Sequence, residues 1–351
     1  MVPLLLFLFG TALAGWTPPF ALTQYHDFPD FEQYVIEVAK RNPSFVQLRD
    51  IGRTHEGRRL LGLKIGRPSA VPKPAVWIDG GNHAREWPAF HTAIYFIEQF
   101  VTRYGQSDRI TDYINKLDIY IFPVLNPDGF IFSRTDTKDL IRQWRKNRAP
   151  ANCTGFHSTT VRNVCCEGVD LNRNWDFSFK QTNYPFNNPC SDEFQGPFPF
   201  SEPETRAVRD YVTGRELSGR LHAYFSMHTH GQLWILPYND HRKHYPEDYK
   251  DMERLAFRAA EALYQYRETK YRIGTAADML GGPATGGATD WIKANTKTKY
   301  VFVLELPPDL SSWFAFQVRP HWLLPIAKET WLAVKVILEQ TLEDHGLQSR
   351  A

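Results

Sequence analysis

The sequence lacks an excess of charge of either sign, a long apolar segment and several common catalytic signatures. Its 41 basic and 39 acidic side chains leave a formal net charge of +2, which provides no broad electrostatic surface for nucleic acid. No stretch reaches the roughly 20 apolar residues that cross a bilayer, and no Gly-x-Ser-x-Gly nucleophile motif occurs. We therefore expect a monomer with neither a nucleic-acid partner nor a membrane anchor, and not a serine hydrolase.

The most compact apolar run lies at the start of the chain. Residues 2–9 are almost all apolar and are followed by Ala12-Leu13-Ala14, a pattern typical of a secretory signal peptide cut after Ala14, although the usual basic start is missing. A buried strand is the alternative, since the run is too short to span a membrane. We predict a signal peptide over residues 1–14 and a secreted, extracellular protein.

Cysteine is scarce and confined to one segment that contains Cys153, Cys165, Cys166 and Cys190. Secretion favours disulfide bonds, and four cysteines allow three pairings, although chain neighbours rarely bond each other. No Cys-x-x-Cys pair exists, which disfavours a structural zinc cluster. Asn152 begins a glycosylation sequon whose use the sequence leaves open.

Apolar runs of strand length alternate with helical patterns along the chain. Strands are predicted at 74–79, 117–124, 221–227 and 300–304, and helices at 32–41, 88–104, 201–213, 251–266 and 322–342. Each strand is apolar on both faces, which indicates an α/β protein with a mainly parallel or mixed sheet covered by helices. The aperiodic segment 147–199 is predicted to cross the surface.

Polar side chains capable of metal chemistry follow three of these strands. His83 and Glu86 come after the first, His228 after the third and Glu305 after the fourth. The carboxyl ends of parallel strands meet at one edge of a sheet, so these four side chains are expected to gather there. Two histidines and one carboxylate leave a fourth zinc position for water, as hydrolysis requires. A His-x-x-Glu pair alone is a weak signal, because it also occurs on helix surfaces.

Six separated motifs resemble, in the same order, those of the pancreatic-type metallocarboxypeptidases, the carboxypeptidase A and B family. They are Gly81-Asn-His-Ala-Arg-Glu-Trp87, Asn126-Pro-Asp-Gly129, Trp144-Arg-Lys-Asn-Arg148, Gly168-Val-Asp-Leu-Asn-Arg-Asn-Trp-Asp176, Ser201-Glu-Pro-Glu-Thr205 and Phe302-Val-Leu-Glu-Leu306. The resemblance covers residues 25–338. It implies one zinc-dependent α/β domain over 25–342, with a mixed, mostly parallel, eight-stranded twisted sheet flanked by helices. A short segment, 15–24, precedes this domain and a polar tail, 343–351, follows it.

The resemblance also implies a chemical role for each matching residue. It implies that one zinc ion per chain is held by His83, Glu86 and His228, the ligand set known for carboxypeptidase A. Asp170 would orient His83. Glu305 would be the general base that deprotonates zinc-bound water and passes the proton to the leaving amine.

Four further residues would handle the substrate. Arg145 would stabilise the oxyanion, Asn172 and Arg173 would hold the free C-terminal carboxylate, and Arg85 would line the approach path. An arginine can hold a carboxylate through two parallel hydrogen bonds, which an internal peptide bond cannot accept. The expected substrates are therefore the C-termini of peptides and proteins.

The sequence departs from the family pattern at the position of a mobile tyrosine. Gly282 occupies it, or Gly281 if the loop shifts by one residue, and we expect a weaker hold on the terminal carboxylate. His230 stands where the family often has tyrosine and is predicted to be a pocket wall rather than a zinc ligand. Thr289, at the base of the specificity pocket, is uncharged, which predicts a preference for neutral C-terminal residues.

Two more expectations follow from the resemblance. Cys166 and Cys190 match the family's usual disulfide, which leaves Cys153 and Cys165 to pair with each other. Only about ten residues separate the signal peptide from the catalytic similarity, so we expect activity without removal of a folded prodomain. The alternative functions are a secreted, non-catalytic peptide-binding protein on the same scaffold and a zinc amidase that would not need Asn172 and Arg173.

Overall fold

The structure, a computed structural model, describes residues 20–136, 138–151, 165–180, 183–313 and 315–347. The predicted signal peptide, residues 15–19 of the short segment, Asn152, Cys153 and the end of the polar tail lie outside the described residues. No helix in the described ranges is long and apolar enough to cross a membrane.

One sheet of eight strands forms the centre of the described fold. The strands are β1 Val46–Arg53, β2 Arg59–Ile65, β3 Ala75–Asp79, β4 Asp118–Phe122, β5 Leu221–Gly231, β6 Leu233–Ile235, β7 Arg272–Gly274 and β8 Tyr300–Asp309. Their order across the sheet is β1-β2-β4-β3-β5-β8-β6-β7. The pairs β3–β4, β3–β5, β5–β8 and β6–β7 are parallel, and the remaining three are antiparallel. The mixed, mostly parallel sheet is confirmed.

Helices cover both faces of this sheet. They are α1 Phe28–Arg41, α2 Trp87–Arg103, α3 Asp108–Lys116, α4 Pro127–Arg134, α5 Asp139–Arg142, α6 Pro203–Thr213, α7 Tyr249–Arg267, α8 Ala276–Leu280, α9 Ala288–Asn295 and α10 Leu323–Asp344. Local signals begin several of them. Asn126, for example, accepts a 3.0 Å hydrogen bond from Gly129 N and caps α4, since an Asn side chain can satisfy a free backbone N–H at a helix start.

Alternation along the central strands divides the core between the two faces. Val76 and Ile78 of β3 pack into the larger apolar cluster with α1, α2, α7 and α10. Trp77, between them, points to the opposite cluster, which contains residues of α6 and α9. Successive strand side chains alternate in this way by geometry, and both sets are buried, which explains why β3 and β4 are apolar at nearly every position.

The surface excursion after β4 is held by a disulfide and by the loop before α9. Cys166 and Cys190 form the bridge that the resemblance implied, with an S–S distance of 2.02 Å. Cys165 is disulfide-bonded as well. Trp175 N donates to Gly286 O at 3.0 Å, and Gly286 N donates to Phe177 O at 2.9 Å. These two hydrogen bonds place the excursion against the sheet edge where the candidate residues lie.

Candidate active site

The loop between β3 and α2 brings its two candidate ligands against the end of β5. Gly81 has a φ of +77°, and a Cβ atom at this position would lie 2.2 Å from Met227 O. Only glycine combines this left-handed conformation with so close an approach of two backbones. His83 and Glu86 therefore reach the residue that follows Met227 on β5, which is His228.

The ligand atoms of His83, Glu86 and His228 converge within 4.8 Å of one another. Glu86 is bracketed by the two imidazoles, with His83 Nδ1 at 2.8 Å from Oε1 and His228 Nδ1 at 2.8 Å from Oε2. The two Nδ1 atoms are 3.0 Å apart, and donors about 2.1 Å from a tetrahedral zinc ion lie roughly 3.4 Å apart. The three buried side chains thus form a donor set of the kind that catalytic zinc uses.

The second nitrogen of His83 is held by Asp170. His83 Nε2 lies 3.0 Å from Asp170 Oδ1, and Asp170 Oδ2 accepts from Arg145 Nε at 2.8 Å. Burial alone would raise the pKa of Asp170, but the charges of Arg145 and His83 outweigh burial and hold this pKa well below its usual range. An ionised carboxylate at Nε2 fixes the proton there, so Nδ1 presents its lone pair to a metal.

The second nitrogen of His228 faces a buried polar chain that the sequence patterns did not indicate. His228 Nε2 lies 3.4 Å from Ser226 Oγ, which donates to Asp79 Oδ1 at 2.6 Å. Asp79 also accepts from Trp77 Nε1 and Gly81 N, each at 2.8 Å. One signal in the sequence could have indicated this chain of contacts: Asp79 is the single carboxylate in the otherwise apolar strand β3. A buried carboxylate needs hydrogen-bond donors around it.

Glu305 lies directly beside the converging ligands. It is opposite His228 in the parallel pairing of β5 and β8. Burial raises the pKa of Glu305 to about 8, and the Glu86 carboxylate adds to the shift, whereas Arg145 and Arg173 oppose it. Arg145 Nη1 also lies 3.9 Å from Glu86 Oε1. A carboxyl group with a raised pKa among cations is suited to accept and return a proton.

Arg173 has a protein partner that the sequence patterns did not predict. Its Nε and Nη2 atoms donate to Glu193 Oε2 at 3.2 and 2.8 Å, and Nη1 donates to Asn172 O at 2.9 Å. Glu193 is more exposed than the arginine, at 39% against 13% for the side chains. The Asn172 side chain accepts from Ala288 N at 2.9 Å, which ties it to α9. The accessible carboxylate of Glu193 is thus already bound to the guanidinium of Arg173, which is predicted to hold the substrate's carboxylate.

Arg85 lies farther out and is also paired. Its Nη1 atom donates to Asp192 Oδ2 and Gln143 O, both at 2.9 Å. The guanidinium lies over the Phe316 ring at 4.2 Å, and this ring also meets His230 edge to face, with ring centroids 4.9 Å apart. His230 is not among the described side chains whose ligand atoms converge with His83 and His228.

Thr289 is buried in the first turn of α9, beside a tightly bonded carboxylate. Its neighbour Asp290 accepts from Asn239 N at 2.7 Å and from Asn239 Nδ2 at 2.8 Å. Burial raises the pKa of Asp290 to about 7. Both oxygens of Asp290 already have protein donors, so the carboxylate nearest to Thr289 is not free to bind a basic side chain.

The two glycines at the tyrosine position differ in conformation. Gly281 ends α8 with a φ of +80°, whereas Gly282 lacks a left-handed φ and has no atom within 4 Å of the place that a Cβ would occupy. This part of the loop is therefore open, and no side chain of these two residues can cover the site.

The sequence of this chain matches a protein-family model and known proteins over most of its length. The family model described as zinc carboxypeptidase matches residues 31–333. Carboxypeptidase B of Astacus astacus is 34% identical over 315 residues, which cover 90% of this chain and 96% of the relative. Carboxypeptidase A2 of Rattus norvegicus is 33% identical over 93% of this chain and 72% of its own length.

Solved structures give the same result. Carboxypeptidase A from Helicoverpa armigera superposes with a TM-score of 0.79 at 28% identity, covering 93% of this chain and 76% of that one. Bovine thrombin-activatable fibrinolysis inhibitor, in complex with tick carboxypeptidase inhibitor, superposes with a TM-score of 0.77 at 30% identity, covering 92% and 99%. With the sequence match over most of its length and the same fold, this chain belongs to the zinc carboxypeptidase family, whose members are zinc-dependent metallocarboxypeptidases.

Proposed function

We propose that this zinc carboxypeptidase is secreted and releases single neutral residues from the C-termini of peptides and proteins. The observation that carries the proposal is the placement of Glu305 beside the converging atoms of His83, Glu86 and His228. These three residues would hold the zinc ion, which would supply a Lewis acid and lower the pKa of water to about 7.

The remaining chemistry is performed by side chains. Glu305 accepts the proton of the attacking water and returns it to the nitrogen of the leaving residue, a role that its raised pKa supports. Arg145, held by Asp170, presents a guanidinium to the oxygen that becomes negative as the tetrahedral carbon forms. Asp170 thereby positions both His83 and Arg145 with one carboxylate.

Recognition of a chain end rests on Arg173 and Asn172. A charge-assisted hydrogen bond contributes roughly 1.5 to 3 kcal/mol, and a peptide amide or an internal peptide bond offers no carboxylate to receive it. The substrate carboxylate must take the place of Glu193 on Arg173, because Glu193 Oε2 already accepts from both Nε and Nη2. We infer that binding is an exchange of one carboxylate for another, and that this exchange weakens substrate affinity. Arg85 lines the approach.

The preference for neutral residues is supported at the base of the pocket. Thr289 carries no charge there, and Asp290 is bonded to Asn239 through both oxygens. A C-terminal Lys or Arg would be buried in this pocket without an ionic partner, which is unfavourable. Efficient release of Lys or Arg relative to Phe or Leu would contradict this preference.

The central test uses one peptide ending in Phe, prepared as the free acid and as the amide. Both are incubated with the purified protein, with and without a zinc chelator, and the products are read by mass spectrometry. We expect loss of one residue from the free acid alone, abolished by the chelator. Cleavage of the amide at the same rate would refute the role of Arg173 and favour a zinc amidase.

The exchange at Arg173 is tested with Glu193→Gln. Because the competing charge is removed, KM for the free acid should fall about tenfold with little change in kcat, since one charged hydrogen bond no longer has to be displaced. Asp251→Asn is the matched control, because this carboxylate has the same side-chain exposure as Glu193, 39%, and pairs with Arg254 on the surface of α7. An unchanged KM in Glu193→Gln would show that the pair does not oppose substrate binding.

The missing tyrosine is the feature that favours the alternative of a non-catalytic peptide-binding protein on the same scaffold. Folded, zinc-loaded protein that binds free-acid peptides but cleaves none of a panel of them would favour this alternative. Secretion is tested separately by expressing the full chain with and without residues 1–14 and comparing the culture medium.

A further inference from the structure

A second group of metal-competent side chains lies outside the active site, on the segment that follows β6. Asp240, His241 and His244 place one ligand atom each within 4.8 Å of one another. Asp240 is 7% exposed, whereas the side chains of His241 and His244 are 65% and 36% exposed. The chemistry described above uses none of these three residues.

The contacts of this group with its carboxylate are similar to those of the catalytic ligands, but its two rings are nearly parallel, at 17°, whereas those of His83 and His228 are tilted by 60°. His244 Nδ1 lies 2.7 Å from Asp240 Oδ1, and His241 Nδ1 lies 3.1 Å from Oδ2. A single carboxylate is therefore bracketed by two imidazoles through their Nδ1 atoms, one at each oxygen. In the active site, Glu86 is bracketed in the same way by His83 and His228.

The surrounding residues hold this second group in place. Ser178 Oγ donates to Asp240 Oδ2 at 2.7 Å, and the His244 ring packs against Tyr238 at a tilt of 35°, with centroids 4.8 Å apart. Burial would raise the pKa of Asp240, but the hydrogen bonds from His244 and Ser178 outweigh burial and lower it, so the carboxylate is ionised at neutral pH. The Nε2 atoms of His241 and His244 have no protein partner within the described ranges.

A third set of the same residue types shows that proximity alone is not enough. His222 uses Nε2 towards Asp344 at 3.0 Å and Nδ1 towards His345 at 3.2 Å. The two nitrogens of one imidazole point in different directions, so these groups form a chain and not a common centre. The geometry at Asp240 differs because each imidazole turns the same kind of nitrogen towards one carboxylate.

We propose that Asp240, His241 and His244 bind a second divalent transition-metal ion, of which zinc is the class that suits two imidazoles and one carboxylate. The fourth position faces solvent and takes water. The site lies directly after Asn239, whose side chain and backbone hold Asp290. A bound ion would stiffen the segment whose Asn239 is bonded to Asp290, the neighbour of Thr289.

The test is the zinc content of the full-length protein, read independently of activity. Protein is loaded with zinc, passed through gel filtration to remove unbound metal, and analysed by native mass spectrometry and by elemental analysis. We expect two zinc ions per chain in the unchanged protein and one in the double variant His241→Ala/His244→Ala. His345→Ala is the control and should keep both ions.

The single variant His241→Ala separates loss of the site from loss of folding, because this side chain is mostly exposed. It should also bind one ion and unfold at the same temperature as the unchanged protein in the absence of added metal. One zinc ion in the unchanged protein, or equal zinc contents in the unchanged protein and the double variant, would overturn the proposal. Neither result would affect the proposed peptidase activity, whose chelator test stands apart.

Discussion

The two bracketed carboxylates, Glu86 and Asp240, have similar ligand distances but different surroundings. The imidazoles around Glu86 are buried, and their second nitrogens face Asp170 and the Ser226–Asp79 pair. The imidazoles around Asp240 are exposed, and their second nitrogens have no partner within the described ranges. A metal site is therefore defined by its donors, whereas its use in catalysis depends on the groups behind and beside those donors.

The two clusters also differ in how the chain assembles them. His83 and His228 are 145 residues apart and meet because β3 and β5 are parallel neighbours. Asp240, His241 and His244 lie within a single segment. Of these two clusters, only the first lies beside the proposed general base, Glu305, which the adjacent strand β8 places opposite His228. Long-range strand pairing thus supplies the catalytic group that a local cluster lacks.

The largest effect on activity is expected from substitution of Glu305. Glu305→Gln removes the proton acceptor but keeps the shape, so kcat should fall by about 10²- to 10⁴-fold with zinc still bound. Steady-state kinetics and zinc content measure the two quantities. Glu343→Gln, an exposed glutamate near the end of α10, is the control. Activity within a few-fold of the unchanged protein would remove the basis for distinguishing the two clusters.

The next effect concerns a buried carboxylate at the opposite edge of the sheet, which has cationic partners but no imidazoles. Asp118 lies 3.0 Å from each of Lys64, Lys73 and Arg220. Asp118→Asn should lower the free energy of unfolding by about 1–3 kcal/mol, because it removes the ionic partner of the buried Lys73 and of the half-buried Lys64 and Arg220, without altering kcat. Denaturant unfolding at neutral pH measures the change.

The pH dependence of this effect follows from the pKa of Asp118. Burial would raise this pKa, but Lys73, Arg220 and Lys64 outweigh burial and lower it. The stabilisation is therefore present above the ordinary value of 3.8 and is lost as the pH falls through the folded-state pKa. The difference between Asp118→Asn and the unchanged protein should shrink below about pH 4. A difference that stays constant would contradict this assignment.

A smaller effect, on zinc affinity, is expected from substitution of Asp170, the carboxylate that contacts His83 Nε2. Asp170→Asn should weaken zinc binding at the active site by about 10- to 100-fold, since the ligand's orientation and basicity are lost. Competition with a chelator measures the affinity. Ser178→Ala, which removes the hydrogen bond behind Asp240, should leave the active-site zinc affinity unchanged. Equal affinities in Asp170→Asn and the unchanged protein would show that the supporting carboxylate is dispensable.

Strands buried on both faces could be located from the sequence, whereas the outer strands could not. β3 and β4 lie in nearly continuous apolar runs, and their predicted ends agree with the structure within two residues. β8 begins at Tyr300 as predicted but runs five residues beyond the predicted end, to Asp309. β1 is half-exposed along most of its length and has charged residues at three of its eight positions, and β6 and β7 have three residues each. Such short or mixed segments show no clear hydrophobic periodicity, so their strand conformation is determined by pairing with neighbouring strands.

Contacts between distant surface residues were beyond the sequence patterns. Glu193 lies 20 residues from Arg173 in an aperiodic segment, so no repeat or motif indicated their pairing. The hydrogen-bonded series from His228 through Ser226 to Asp79 could not be predicted for a similar reason, because it depends on the register between β3 and β5. The resemblance named Asp170 as the partner of His83, and the structure has this contact at 3.0 Å.

The sequence by itself determined the residue types for a zinc hydrolase, their positions after apolar strands, and the α/β class of the fold. These features are local, because the apolar pattern of a buried strand and the spacing of a motif both depend on residues that are close together in the sequence. Only the tertiary structure decided that Glu193 occupies Arg173, that Asp290 is bonded to Asn239, and that Asp240, like Glu86, is contacted by two imidazoles. The first two depend on where separate loops come to rest and the third on how one short segment folds, because hydrogen bonds form between side chains brought within about 3 Å, whatever their distance along the chain.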